Sequence, residues 1–288
     1  MSAKEVVIFY HKHCVDGTAS AAVCLRKYPE AKAIPLSFSE KEADLEIAKA
    51  AISPSTTVIF VDTTLGLEEL VGFGKEVLVI DHHISEKEKV EELVKVNQKL
   101  TYIFDNEESG ATLAFKYFFP DEILPTFLAY VRDIDLWKKE LTPESEWLHQ
   151  FLSTKRNQPE TLLSLLESGA DLGNYLSIGK TLTEYVDLEI VHTTQLDPCY
   201  LQAGDFRVPA FNITNHQSKA GNILALKYQS AVILYGIMGE QTRMSIRSVE
   251  GCRPNAQEVA SLFRDGGGHT HAAGATIPTS DFLHLFLV

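Results

Sequence analysis

Long apolar runs are missing from this 288-residue chain, and none approaches the ~18 residues that would suggest a membrane span. Met1-Ser2-Ala3-Lys4-Glu5 leads straight into an apolar strand, without a signal-peptide core or cleavage pattern. Cysteine is scarce: Cys14, Cys24, Cys199 and Cys252 form no CxxC pair and no regular framework. Reduced thiols and a cytoplasmic location are therefore expected. Positive charge is short as well, with 26 Lys and Arg against 39 Asp and Glu and a net charge of −13. From Asp197 onward seven basic residues balance seven acidic ones, so all the excess acid lies in residues 1–196. An acidic first half argues against tight binding to long duplex DNA. A short phosphorylated ligand stays compatible, because bound divalent cations would invert the local field.

What remains is ample for packed cores. The hydrophobic fraction is 45%, and the length exceeds that of a usual single domain, so two domains are expected. Val6–Tyr10, Val58–Val61 and Val77–Ile80 read as short buried strands. Helix-like stretches follow at Thr18–Lys27, Leu67–Leu70 and Lys87–Val96. Such alternation predicts βαβ units and a parallel sheet with helices on both faces. Residues 107–135 read as helical, with Ser109-Gly110-Ala111 opening one helix and Asp133 closing another. Pro159 to about Leu196 forms a helical linker. Asp197-Pro198 marks the border, giving a first domain over 1–190 and a smaller α/β domain over 197–288. In the latter, strands are expected at Arg207–Ile213, Ala231–Ile237 and Arg243–Val249, with a helix near Gly221–Tyr228. A short helix and Gly266-Gly267-Gly268-His269 complete it.

Each early strand ends directly in polar residues: His11, then Asp62, then Asp81-His82-His83. The crevice at the carboxyl ends of parallel strands is where ligands bind. One such residue alone is as well explained as a loop residue or helix cap; three strand ends are not. With Asp16 and Asp133 added, the imidazole and carboxylate donors suit Mn²⁺, Zn²⁺ or Fe²⁺. Paired metals sharing a carboxylate activate water and stabilise the leaving oxygen of a phosphoryl group, although any of these histidines could instead be a satisfied core residue.

The chain resembles the DHH phosphoesterase superfamily, in its form with a DHH-associated C-terminal domain (the nanoRNase and RecJ-like branch). The matching pieces are His11-Lys-His-Cys-Val-Asp16-Gly17, Phe60-Val-Asp62, Ile80-Asp81-His82-His83, Ser109-Gly110-Ala111, Asp133-Ile-Asp135-Leu-Trp137 and Gly266-Gly-Gly-His269, in the family's order. The resemblance implies that Asp62 bridges two metals, usually Mn²⁺, with Mg²⁺, Zn²⁺ and Fe²⁺ as alternatives. It places His11 on the first metal and Asp16, His82 and Asp133 on the second. His83 is then a phosphate- or nucleophile-positioning group, Asp81 orients the imidazoles, and Asp135 is structural. Many relatives carry Asp where this chain has Cys14. Either the thiolate binds the first metal and shifts its preference, or Cys14 is a small buried residue beside a weak first site. His13 reads as a loop histidine within possible reach of substrate, and Cys24 as core.

Gly266, Gly267 and Gly268 admit backbone N–H groups to a phosphate, with His269 as an added donor. Arg247 and Ser109 are expected near the substrate, and Arg253 is a weaker candidate; a cap and close packing explain Ser109 equally well. The implied activity is hydrolysis of short single-stranded oligonucleotides or linear dinucleotides to mononucleotides. The alternatives are a phosphomonoesterase or exopolyphosphatase and a non-catalytic nucleotide-binding module. No membrane and no long duplex DNA are expected as partners, and a homodimer is left open.

Overall fold

The computed structural model describes residues 5–167, 169–264 and 266–286, so Met1–Lys4 lie outside it. The chain forms two compact units, Met1–Thr183 and Glu184–Val288. Among the described residues no helix is long and apolar enough to cross a membrane.

The first unit is built on five parallel strands in the order β2-β1-β3-β4-β5: β1 Val6–His11, β2 Lys32–Leu36, β3 Thr57–Val61, β4 Glu76–Asp81 and β5 Leu100–Phe104. The helices are α1 Val15–Lys27, α2 Lys41–Ala50, α3 Leu67–Leu70, α4 Ile84–Val96, α5 Gly110–Phe118, α6 Thr126–Asp135 and α7 Glu144–Leu152. The central strands are apolar throughout because both faces are covered. Val6, Ile8, Tyr10, Ile59 and Val61 point into a core with α1, α5, α6 and α7. Val7, Phe9, Val58 and Phe60 point the other way, against Leu45 and Ala48 of α2, Leu67 and Leu70 of α3 and Val90 of α4. The strand order reverses between β1 and β3, and such a switch point opens the crevice in which ligands bind.

The helical stretch expected from Pro159 to Leu196 is broken. A 3-10 segment, Pro159–Leu166, packs Leu162, Leu165 and Leu166 into the α1 core, and α8 begins only at Gly173 and ends at Thr193. Between them Gly169 takes a positive φ of 76°, and the Asp171 side chain accepts from the Gly173 N–H at 2.8 Å. A glycine turn and a new helix start interrupt the periodic pattern. The division between the units falls inside α8.

The second unit is a six-stranded sheet in the order β10-β11-β9-β8-β7-β6, with β6 Cys199–Ala203, β7 Phe206–Asn212, β8 Val232–Met238, β9 Gln241–Arg247, β10 Gly267–His269 and β11 Ala272–Pro278. Only β7 and β8 run parallel, which requires the crossover helix α9 Gln217–Tyr228. That helix packs Ala220, Leu224 and Ala225 on one face of the sheet. Helices α10 Ala256–Ala260 and α11 Thr279–Leu283 cover the other through Ala256, Val259 and Phe282.

Candidate metal centre

His11 closes β1, Asp62 follows β3 directly, and Asp81 closes β4, so the ladder itself brings the three strand ends together. The Asp62 N–H donates to the Ile80 carbonyl at 3.0 Å, extending the β3–β4 pairing by one residue. Asp62 then turns at φ 57°, in the left-handed region, and its buried carboxylate lies over the switch point. Its Oδ1 lies 3.2 Å from His82 Nε2 and its Oδ2 3.6 Å from His11 Nδ1. His82 Nε2 is also 3.8 Å from Asp16 Oδ2 and 3.6 Å from Asp135 Oδ2. His83 Nδ1 sits 2.7 Å from Asp81 Oδ1.

Asp16 lies in the first turn of α1 and is buried. The Gly110 and Ala111 N–H groups at the start of α5 donate to its two oxygens at 2.7 and 3.1 Å. The anion at this helix N-terminus is therefore an internal carboxylate, which the free N–H groups and the helix dipole stabilise. Both neighbouring glycines are needed for the fit. A Cβ on Gly110 would come within 2.8 Å of the Asp62 Cβ, and one on Gly17 within 2.9 Å of the His11 Cβ.

Among the described residues, three groups have potential ligand atoms all within 4.8 Å of one another: His11, Cys14 and Asp62; Asp62, His82 and His83; and Asp16, His82 and Asp135. Shared members Asp62 and His82 link the three. The electrostatics call for a cation. Burial, then the charges of Asp62 and Asp135, raise the Asp16 carboxyl well above its usual range. Asp135 is raised by burial and by Asp62. Burial would also raise Asp62, but contacts with His11 and His82 outweigh it and hold the carboxyl low. Burial works to lower His82, yet its hydrogen bond to Asp62 and the surrounding carboxylates raise it. Burial, then Asp62 and Asp16, push the Cys14 thiol up from its usual range. Among the described residues, Asp62 Oδ2 and Asp81 Oδ2 are buried without a hydrogen-bond partner, a costly arrangement unless another ligand satisfies them. Nitrogen and oxygen donors around unpaired buried carboxylates fit divalent metal ions.

Asp133 takes a different place from the one expected. Its Oδ2 accepts from Ser145 Oγ at 2.6 Å and its Oδ1 from the Glu140 N–H at 2.8 Å, which fastens the segment after α6. Asp135, expected to be structural, joins the cluster instead. Residues two apart on a helix point about 200° apart, so only one of the pair can face the centre. Ser109 also departs from expectation as a substrate contact: it is fully buried and caps α5 in a reciprocal box with Thr112.

In the second unit His269 and Gly267 are exposed on β10, and a Cβ on Gly267 would meet open space. Gly268, at φ 137°, approaches Ala273, and Gly266 approaches the Ala260 carbonyl, so these two glycines serve packing. The Arg247 guanidinium donates to Ser218 Oγ at 2.9 Å and to the Ile246 carbonyl. Arg253 is exposed, 3.6 Å from Glu258.

Two features of the site were not assigned a role from the sequence. Asn157, also in the left-handed region, accepts from the His13 N–H at 2.8 Å, and its amide nitrogen lies 3.0 Å from His13 Nδ1. Trp137 is 68% exposed two residues beyond Asp135, at φ 56°, with Lys139 Nζ 4.0 Å from its ring centre. The DxDxW pattern was the only available signal for it.

Residues 5–134 match the family described as the DHH family, N-terminal domain. An uncharacterised protein, R106, of Acanthamoeba polyphaga mimivirus is 26% identical over 292 residues, covering 93% of this chain. The chain spans 66% of that protein's length. Similar solved structures include the pGpG-specific phosphodiesterase PggH of Vibrio cholerae, with TM-score 0.55, 15% identity and coverage of 98% and 96% of the two chains. Another is the exonuclease RecJ bound to manganese, with TM-score 0.53, 17% identity and coverage of 98% and 88%. At such identities the likeness is one of fold.

Proposed function

The N-terminal unit belongs to the DHH family, and on that footing we propose that the chain is a divalent-metal-dependent phosphodiesterase acting on short single-stranded oligonucleotides or linear dinucleotides. The observation that carries the reading is the convergence of three linked donor groups on the β1–β3 switch point, around a buried Asp62 oxygen that has no hydrogen-bond partner among the described residues. His11, Asp16, Asp62, His82 and Asp135 would hold two ions, Mn²⁺ being the first expectation. When bound, these ions supply an activated water and charge stabilisation for the leaving oxygen.

The chain's own groups do the rest. Asp62 links both positions. Asp81 engages His83 Nδ1, which fixes the ring and leaves Nε2 to donate to a phosphate oxygen. In the second unit, taken by itself, His269 and the exposed backbone at Gly267 would offer donors to a phosphate group. Arg247 would have to leave Ser218 to reach a ligand, so it is the weaker contributor.

Trp137 favours a nucleotide over polyphosphate. An exposed indole held in a backbone region unfavourable for a bulky residue is a ready platform for a base. Two proteins of similar fold, PggH and RecJ, are by their descriptions a pGpG-specific phosphodiesterase and an exonuclease, activities in keeping with a phosphodiesterase. The test is a panel of di- to decanucleotides, cyclic dinucleotides, nucleoside monophosphates and polyphosphate, assayed with Mn²⁺. Release of mononucleotides from the shortest oligomers supports the reading. Hydrolysis confined to polyphosphate or monoesters refutes it.

A further inference from the structure

We propose that Cys14 is a thiolate ligand at the first metal position, completing with His11 and Asp62 a sulfur–nitrogen–oxygen donor set that favours Co²⁺, Zn²⁺ or Fe²⁺ over Mg²⁺ and Mn²⁺. The inference rests on the reading of the cluster as a metal centre and concerns the identity of its first ion.

Cys14 stands at the N-cap of α1, two residues before Asp16 and three after His11. Its sulfur, a His11 nitrogen and an Asp62 oxygen all lie within 4.8 Å of one another. Ligands about 2.0–2.3 Å from one shared ion cannot be separated by more than ~4.6 Å, so a small adjustment suffices. A lone thiol would carry no weight here. The second observation is Asp62 itself: 1% exposed, with Oδ2 turned towards His11 and, among the described residues, without a hydrogen-bond partner. That oxygen, a His11 nitrogen and the Cys14 sulfur share one small space.

The position is also chemically unusual for a helix start. Ser, Thr, Asp and Asn are preferred at an N-cap because their oxygens accept from the first free N–H groups, and Cys14 forms no such side-chain cap. Thr18 donates from its N–H and hydroxyl to the Cys14 carbonyl, at 3.1 and 2.7 Å, so the main chain of Cys14 anchors the turn. A thiolate in place of an oxygen donor selects softer ions. On coordination the thiol gives its proton to solvent and the sulfur lone pair to the ion, with no change of oxidation state.

Metal-free protein titrated with Co²⁺ tests this without reference to turnover. The wild type should develop an intense sulfur-to-cobalt charge-transfer band in the near ultraviolet. Cys14→Ser should lose that band yet keep weaker visible bands from Co²⁺ held by Asp16, His82 and Asp135. A Cys199→Ser/Cys252→Ser variant should retain the band. Cys14→Asp, which restores an oxygen donor, should lower the preference for Zn²⁺ over Mn²⁺ by roughly tenfold or more, at least what loss of a supporting group costs a metal site. Circular dichroism on each variant separates misfolding from ligand loss. Co²⁺ bound by equilibrium dialysis without the band, or a band that survives in Cys14→Ser, overturns the thiolate and leaves the metal centre standing. Failure to bind Co²⁺ at all overturns both.

Discussion

Asp62 Oδ1 lies 3.2 Å from His82 Nε2, across the ends of two paired strands, while the other Asp62 oxygen faces His11 on a third. One carboxylate thus joins the two halves of the cluster. Asp62→Asn keeps the shape but removes the charge that holds the histidines. Turnover should fall by on the order of 10³-fold, as when a preorganised electrostatic group is lost. The melting temperature should hold steady or rise, because the buried charge has gone. Wild-type turnover in this variant would show that Asp62 is not the link.

Asp133 and Asp135 should separate cleanly. Asp135→Asn is expected to lower metal content and turnover with little change in stability. Asp133→Asn weakens the acceptors for Ser145 and Glu140, so it should cost about 1–3 kcal/mol of stability and leave bound metal nearly unchanged. Metal analysis and denaturant melts on both variants check the assignment. The opposite pattern would return Asp133 to the cluster.

Trp137→Ala should weaken use of a dinucleotide by roughly 1–3 kcal/mol per stacked base, seen mainly in KM. A nitrophenyl phosphate ester, which offers no base, should be unaffected. Equal losses on both substrates would make Trp137 a structural residue.

Stability should also carry a histidine signature. Burial, aided by Arg156, lowers His149 to about 4, against ~6.5 in an unfolded chain. Between those values the unfolded state binds the extra proton, so this contribution is full above ~6.5 and fades as the pH falls towards 4. His149→Gln should flatten the melting temperature over that window relative to wild type. An unchanged pH slope would show that His149 titrates normally.

The central sheet was legible because β1, β3 and β4 are buried on both faces and read as unbroken apolar runs. The edge strands were not. Lys32–Leu36 contains Pro35, tolerated at an edge, and Leu100–Phe104 is only half-buried, so neither shows a clean apolar run. In the second unit β11 is rich in Ala and Gly, and Gly267–His269, for which no strand was expected, pairs with it as an edge strand. At the site, the strand-end positions of His11, Asp62 and Asp81-His82-His83 followed from the parallel-sheet pattern. The choice between Asp133 and Asp135 did not, because it depends on the rotation of α6. Asn157 lies 144 residues from His13, and no local pattern could pair them.

The most direct test is product analysis on a labelled linear dinucleotide, using protein stripped of metal and then supplied with Mn²⁺. The stripped protein should release no mononucleotide, and Mn²⁺ should restore release in the wild type but not in Asp62→Asn. Full hydrolysis in excess chelator, after metal removal has been verified, would contradict a metal-dependent phosphodiesterase at this centre.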